Sequence, residues 1–229
     1  MSLQSPQNWE LLALVVSLVI VSYLVGSLSP AYMVVRRRLG LDIRQLGNGN
    51  AGAENVSRVA GIRPAVLVAA IDVAKGLLVV LVARWISPAS ATEHFLAGGL
   101  TGDTFRNGVI LAAGVAAVVG HSWSVYLKGA GGRGAATAVG ALCGMVTIPA
   151  LLVAAPAFVL LCRHRSTTWG LATFFVGTVL VTASMGYFNI FGYSLLWTAY
   201  AVSLPAVVGA IHFASLKRQA PPAPALPGR

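Results

Sequence analysis

The sequence predicts an all-α, polytopic membrane protein of about seven membrane segments, including a short helical hairpin, with the N-terminus outside and the C-terminus cytoplasmic. Three observations carry this. First, 57% of the 229 residues are hydrophobic and only 10% are charged, against about 25% charged in ordinary soluble domains. Second, apolar runs at 11–35, 65–86, 108–127, 135–162, 169–188 and 191–213 reach the roughly 20 residues a membrane helix needs. Third, these runs are continuous rather than alternating with period two, which argues against a β-barrel.

Charge placement sets the expected orientation. Glu10 precedes the first run and Arg36, Arg37 and Arg38 follow it. This is the reverse of a cleavable leader and puts the arginines in the cytoplasm. The other basic positions cluster at Arg44–Arg63, Lys128 and Arg133, Arg163 and Arg165, and Lys217 and Arg218. A single crossing by 135–162 would place Arg163 and Arg165 outside. Gly144, Pro149 and Pro156 interrupt that run. Two helices of about 13 residues, turning near 147–149, would return it to the cytoplasm at the expense of short crossings. Residues 1–218 then form one membrane domain, and the Pro/Ala-rich 219–229 segment is expected to be a disordered tail. Glu93, His94 and Asp103 fall in an outside loop as solvated residues.

Other classes are disfavoured. Cys143 and Cys162 both lie in apolar runs, so neither a disulfide framework nor a metal site is expected. The net charge of +10 fits the positive-inside rule and anionic lipid headgroups, with no nucleic-acid partner.

The polar residues concentrate on the side expected to be cytoplasmic. Gly47-Asn48-Gly49-Asn50-Ala51-Gly52-Ala53-Glu54-Asn55-Val56-Ser57-Arg58 reads either as a flexible linker or as an anion cradle. In the second reading, glycines let N–H groups converge and asparagines and Arg58 complete the site. A second segment runs from His121 through Lys128 and Gly131-Gly132-Arg133-Gly134 to Thr137. It is either a tight turn with a snorkelling arginine or a phosphate site at a helix N-terminus. It lacks Walker A spacing, so ATP is not expected. A third group, Arg163-His164-Arg165-Ser166-Thr167-Thr168, is a basic flank with an N-cap or part of the same site. Asp72 and Lys75 lie one helical turn apart, and a self-neutralising structural pair is the favoured reading. His121 and His212 sit near cytoplasmic helix ends.

Several ordered motifs resemble the bacterial membrane glycerol-3-phosphate acyltransferases of the PlsY type, from about Gly26 to Lys217. Gly26-Ser27-Leu28-Ser29-Pro30 is similar to the family's opening segment. Asp42-Ile43-Arg44 and the 47–58 loop resemble its GSGN-x-GATN-x-x-R motif. Asp72-Val73-Ala74-Lys75-Gly76 matches D-x-x-KG, and 120–140 resembles the family's GH…GGKG-x-AT motif. Residues 165–169 and 212–218 echo two later motifs.

The resemblance implies acyl transfer from acyl phosphate to the 1-hydroxyl of glycerol 3-phosphate at a bacterial inner membrane, with no cofactor. The implied products are lysophosphatidic acid and phosphate. Carried onto this chain, Asn48, Arg58, Arg133 and His212 take catalytic positions. Gly47, Gly49, Asn50, Gly52, Asn55, His121, Lys128, Gly131, Gly132, Gly134, Thr137, Arg165, Thr168 and Ser215 take substrate-binding positions. The chain departs from the pattern at Asn48 (serine), Glu54 (threonine), Arg133 (lysine), Phe213 (arginine) and Ser215 (asparagine). Two alternatives follow: a divergent relative that uses another phosphorylated acceptor or binds lipid without catalysis, and a small anion transporter using Asp72 and Lys75.

Overall fold

The computed structural model describes residues 6–87, 102–164 and 166–216. Arg165, Glu93, His94, the 219–229 tail and the side chain of Ser215 lie outside the described residues. The helices are α1 (Pro6–Ser27), α2 (Pro30–Leu39), α3 (Ala53–Ala60), α4 (Ile62–Ile86), α5 (Gly102–Ser122), α6 (Ala135–Met145), α7 (Thr147–His164), α8 (Thr167–Tyr187) and α9 (Leu195–Leu216). No strand occurs among the described residues.

Among the described residues, six stretches are long and apolar enough to cross a membrane: Trp9–Leu39, Ile62–Ile86, Asp103–Leu127, Thr147–His164, Thr167–Tyr187 and Leu196–Ala214. The shorter apolar α6 joins them. The first stretch is broken at Leu28. Pro30 takes an early helical position, where its missing N–H costs nothing, and Ser29 caps α2 by accepting from the Tyr32 N–H at 3.2 Å.

The expected hairpin of two similar arms is corrected. The chain breaks at Val146 (φ −121°, ψ 64°), which makes α6 11 residues and α7 18. Pro149 accounts for the asymmetry. A proline is tolerated in a first helical turn, so α7 starts before it rather than after it.

The most extensive helix contacts are α4 on α6, α1 on α5 and α7 on α8. Glycines permit the first two. A Cβ at Gly76 would strike the Thr137 carbonyl, and one at Gly140 the Val73 carbonyl. Gly26 and Gly120 do the same between α1 and α5. Small residues let the backbones touch, which is how membrane helices gain packing without a hydrophobic drive between them. Val80, Val118, Leu142 and Leu204 fill the main core. Ala31, Val35, Ile43, Val56 and Val68 form a smaller core under the 47–58 loop. The outer faces expose Leu67, Leu78, Leu151, Leu152 and Phe158, as lipid contact requires.

Candidate active site

The 47–58 loop is organised by one buried amide. Asn55 is fully buried, and its Nδ2 donates to the carbonyls of Ile43 (3.2 Å), Leu46 (2.8 Å) and Asn50 (3.0 Å). Its Oδ1 accepts from the Asn48 N–H at 3.1 Å. Gly47 has φ 57°, and a Cβ there would collide with Asn55 Oδ1, so this turn needs glycine. The Gly49 N–H donates to Leu46 O (3.0 Å), and the Asn50 N–H to Asn48 Oδ1 (3.1 Å). The N–H groups of 48–50 are therefore closed within the loop and do not converge on an anion. The open donors are at α3, whose N-cap Gly52 provides no side-chain cap.

The second segment behaves alike. The Gly131 N–H donates to Ser122 O (3.1 Å) and the Gly132 N–H to His121 O (3.0 Å), which closes the end of α5. These two expected phosphate donors are thus already engaged. Gly134 (φ 76°) precedes α6 without a side-chain cap, so the α6 N-terminus keeps its positive end open. Lys128 is exposed in a left-handed conformation.

The two segments meet. A Cβ on Gly132 would lie 3.0 Å from the Ala51 carbonyl. Arg44 Nη1 donates to Leu127 O at 3.0 Å, while its guanidinium pairs with Asp42 at 2.6 Å and lies 5.7 Å from the Tyr32 ring centre. The hydrogen bond from Arg44 holds the Asp42 carboxyl below its ordinary range, against a smaller opposing effect of burial. Glu54 stands between the segments: Oε1 accepts from Arg58 Nη2 at 2.9 Å, and Oε2 lies 3.9 Å from Arg133 Nη1.

Beneath this face sits a buried ionic cluster. Lys75 Nζ lies 2.8 Å from Asp72 Oδ1 and 2.9 Å from His121 Nδ1. It also donates to the carbonyls of Gly26 and Leu28, both at 2.8 Å. Those acceptors exist because α1 breaks there and leaves carbonyls without helical partners. Ser124 Oγ takes a third, Ser27 O, at 2.6 Å. Nδ1 of His121 also lies 3.2 Å from Asp72 Oδ1, so the imidazole closes the cluster against both the lysine and the carboxylate. Thr137 Oγ1 is 3.3 Å from the same Nδ1. A Cβ on Gly132 would strike His121 Nε2, so the imidazole is packed directly under the glycine loop.

The fold thus gathers Asn48, Asn50, Arg58, His121, Gly131–Gly134, Arg133 and Thr137 around one face. His212 and Thr168 are exposed on α9 and α8, and neither belongs to the buried cluster. Two contributors had faint sequence signals. Glu54 and Arg58 have the i,i+4 spacing of a helical ion pair. The bond from Arg44 to a carbonyl 83 residues away had none.

Fold and site together define an integral membrane protein with an arginine-bearing polar face where the 47–58 and 121–137 segments meet. The chain matches the family model described as glycerol-3-phosphate acyltransferase over residues 16–219, and it belongs to that family. It is 36% identical over 180 residues to a glycerol-3-phosphate acyltransferase of Halalkalibacterium halodurans, covering 79% of each chain. A second, from Gloeobacter violaceus, is 45% identical over 134 residues, covering 58% of this chain and 59% of the relative. The crystal structure of PlsY (YgiH), an integral membrane glycerol 3-phosphate acyltransferase in its glycerol 3-phosphate form, aligns with TM-score 0.65 and 26% identity. It covers 89% of this chain and 90% of its own. The lysophosphatidic acid form of the same protein aligns with TM-score 0.58.

Proposed function

We propose that this protein transfers a fatty acyl group from acyl phosphate to the 1-hydroxyl of glycerol 3-phosphate. The carrying observation is the meeting of two segments with uncapped helix N-termini, at Gly52 and Gly134, where Glu54 in the first turn of α3 lies 2.9 Å from Arg58 and 3.9 Å from Arg133. Two phosphate-bearing substrates need two adjoining anion sites, and the acyl tail can lie along the apolar helices. The glycerol hydroxyl oxygen attacks the acyl carbonyl carbon, the carbon–oxygen bond to phosphate breaks, and the hydroxyl proton passes to the leaving phosphate. The products are lysophosphatidic acid and inorganic phosphate. The donor is already activated, so holding both substrates in line and stabilising the developing charge supply most of the rate.

In this reading Arg133 and the α6 N-terminus hold the acyl phosphate, while Arg58, Asn50 and the α3 N-terminus hold glycerol 3-phosphate. Asn55 acts by shaping the loop. The basic residues on this face favour the cytoplasmic side of a bacterial inner membrane, with the N-terminus outside. Glu54 favours a second reading, an acceptor other than glycerol 3-phosphate, since its carboxylate occupies the arginines. A transport path through Asp72 and Lys75 gains no support, because both are buried and Lys75 is held by two carbonyls and a histidine.

The test is phosphate release by the detergent-solubilised protein given palmitoyl phosphate, with and without glycerol 3-phosphate. Acceptor-dependent release with lysophosphatidate as product is expected. Folded protein that makes none, across several chain lengths, would move the assignment to the second reading.

A further inference from the structure

Glu54 lies between the two arginines of this face. Its two carboxylate oxygens approach different arginines, Arg58 at 2.9 Å and Arg133 at 3.9 Å, and each arginine comes from a different segment. Glu54 is also the acidic residue in the first turn of α3, where the helix dipole favours an anion. One side chain therefore engages both of the features that make this face a phosphate site.

We propose that Glu54 is an internal counter-anion that holds Arg58 and Arg133 in register until a substrate phosphate displaces it, and that it thereby sets the affinity of this face for phosphate. The inference rests on the reading of this face as the phosphate-binding site. Exposure makes the exchange feasible. The side chains of Arg58, Glu54 and Arg133 are 61%, 33% and 23% exposed, so the pairs are hydrated and weak. A phosphate dianion carries more charge and more acceptor oxygens than a carboxylate and forms stronger bonds to guanidinium groups. Displacement is therefore favourable, but it works against the attraction already present.

The experiment is a calorimetric titration of the full-length protein in detergent with inorganic phosphate and with glycerol 3-phosphate, for wild type, Glu54→Gln, Glu54→Thr and Glu54→Asp. Thermal unfolding identifies variants that fold. Neutral Gln and Thr should each tighten both ligands about three- to five-fold, the scale of one partly exposed ion pair. KM for glycerol 3-phosphate should fall in the same ratio with little change in kcat, a split that a purely structural role would not produce. Asp, which keeps the charge, should stay near wild type. Unchanged or weakened phosphate binding in folded Gln and Thr variants overturns the proposal, as does a wild type and a Gln variant that both fail to bind phosphate. If Gln tightens phosphate while the wild type makes no lysophosphatidate, the acyltransferase reading fails and this inference stands.

Discussion

Lys75 Nζ lies 2.9 Å from His121 Nδ1, with both side chains buried among α1, α4, α5 and α6. The same ammonium holds Asp72 and the two carbonyls at the break of α1. Lys75 thus joins the first helix break, the helix that carries it and the histidine under the glycine loop. The ionic cluster forms the floor of the polar face.

Lys75→Met should leave Asp72 as an uncompensated buried charge. The expected cost is about 3–5 kcal/mol, read as a large fall in the thermal unfolding midpoint in detergent. Asp72→Asn combined with Lys75→Met should recover much of that loss, because the stranded charge is gone. Equal losses in the single and double variants would show that the pairing itself contributes little.

Arg58→Ala and Arg133→Ala should each lower lysophosphatidate formation about 10- to 100-fold, the scale of one hydrogen bond to a charged group. Neither should shift the melting temperature much, because both side chains reach solvent. Arg133→Lys should retain part of the activity, keeping the charge but losing the two-pronged geometry. Full turnover in both alanine variants would remove them from the site.

Asn55→Ala should act through loop shape. Removing the amide strands the Asn50 carbonyl and the Asn48 N–H, while the Ile43 and Leu46 carbonyls keep the Leu46 and Gly49 N–H groups, at a cost of about 1–3 kcal/mol. KM for glycerol 3-phosphate should rise through disorder of the loop. A variant with lower stability and unchanged KM would separate loop shape from substrate binding.

Asp42 predicts a pH dependence. Arg44 depresses its carboxyl in the folded state, so the folded protein holds the charged form more strongly than the unfolded chain does. That stabilisation is complete above the ordinary aspartate value of about 3.9. It is lost as pH falls through the lower folded value. Asp42→Asn should therefore be less stable than wild type at neutral pH, and the two unfolding curves should converge in acid. A gap that persists at the lowest pH would assign the effect to packing.

Much of the fold was legible because its signals are local. Hydropathy summed over about 20 residues marks a membrane helix without knowledge of its neighbours, but the break between α1 and α2 inside the 11–35 run was not read, although Pro30 marks it. The unequal arms of α6 and α7 were not legible. A proline in an apolar run equally permits a helix that ends before it and one that begins just ahead of it.

The sequence by itself determined the membrane class, the helical runs and the polar segments that carry Arg58 and Arg133. The tertiary structure decided which groups in those segments remain open. The N–H groups at 48–50, 131 and 132 found partners inside the protein, leaving the N-termini of α3 and α6 as the open donors. It also decided that Glu54 lies between two arginines and that Lys75 reaches His121 across 46 residues of chain. The reason is physical. Helix formation is set by neighbours a few residues away, whereas the partner of a polar atom depends on which distant segment the packed backbones bring within 3 Å.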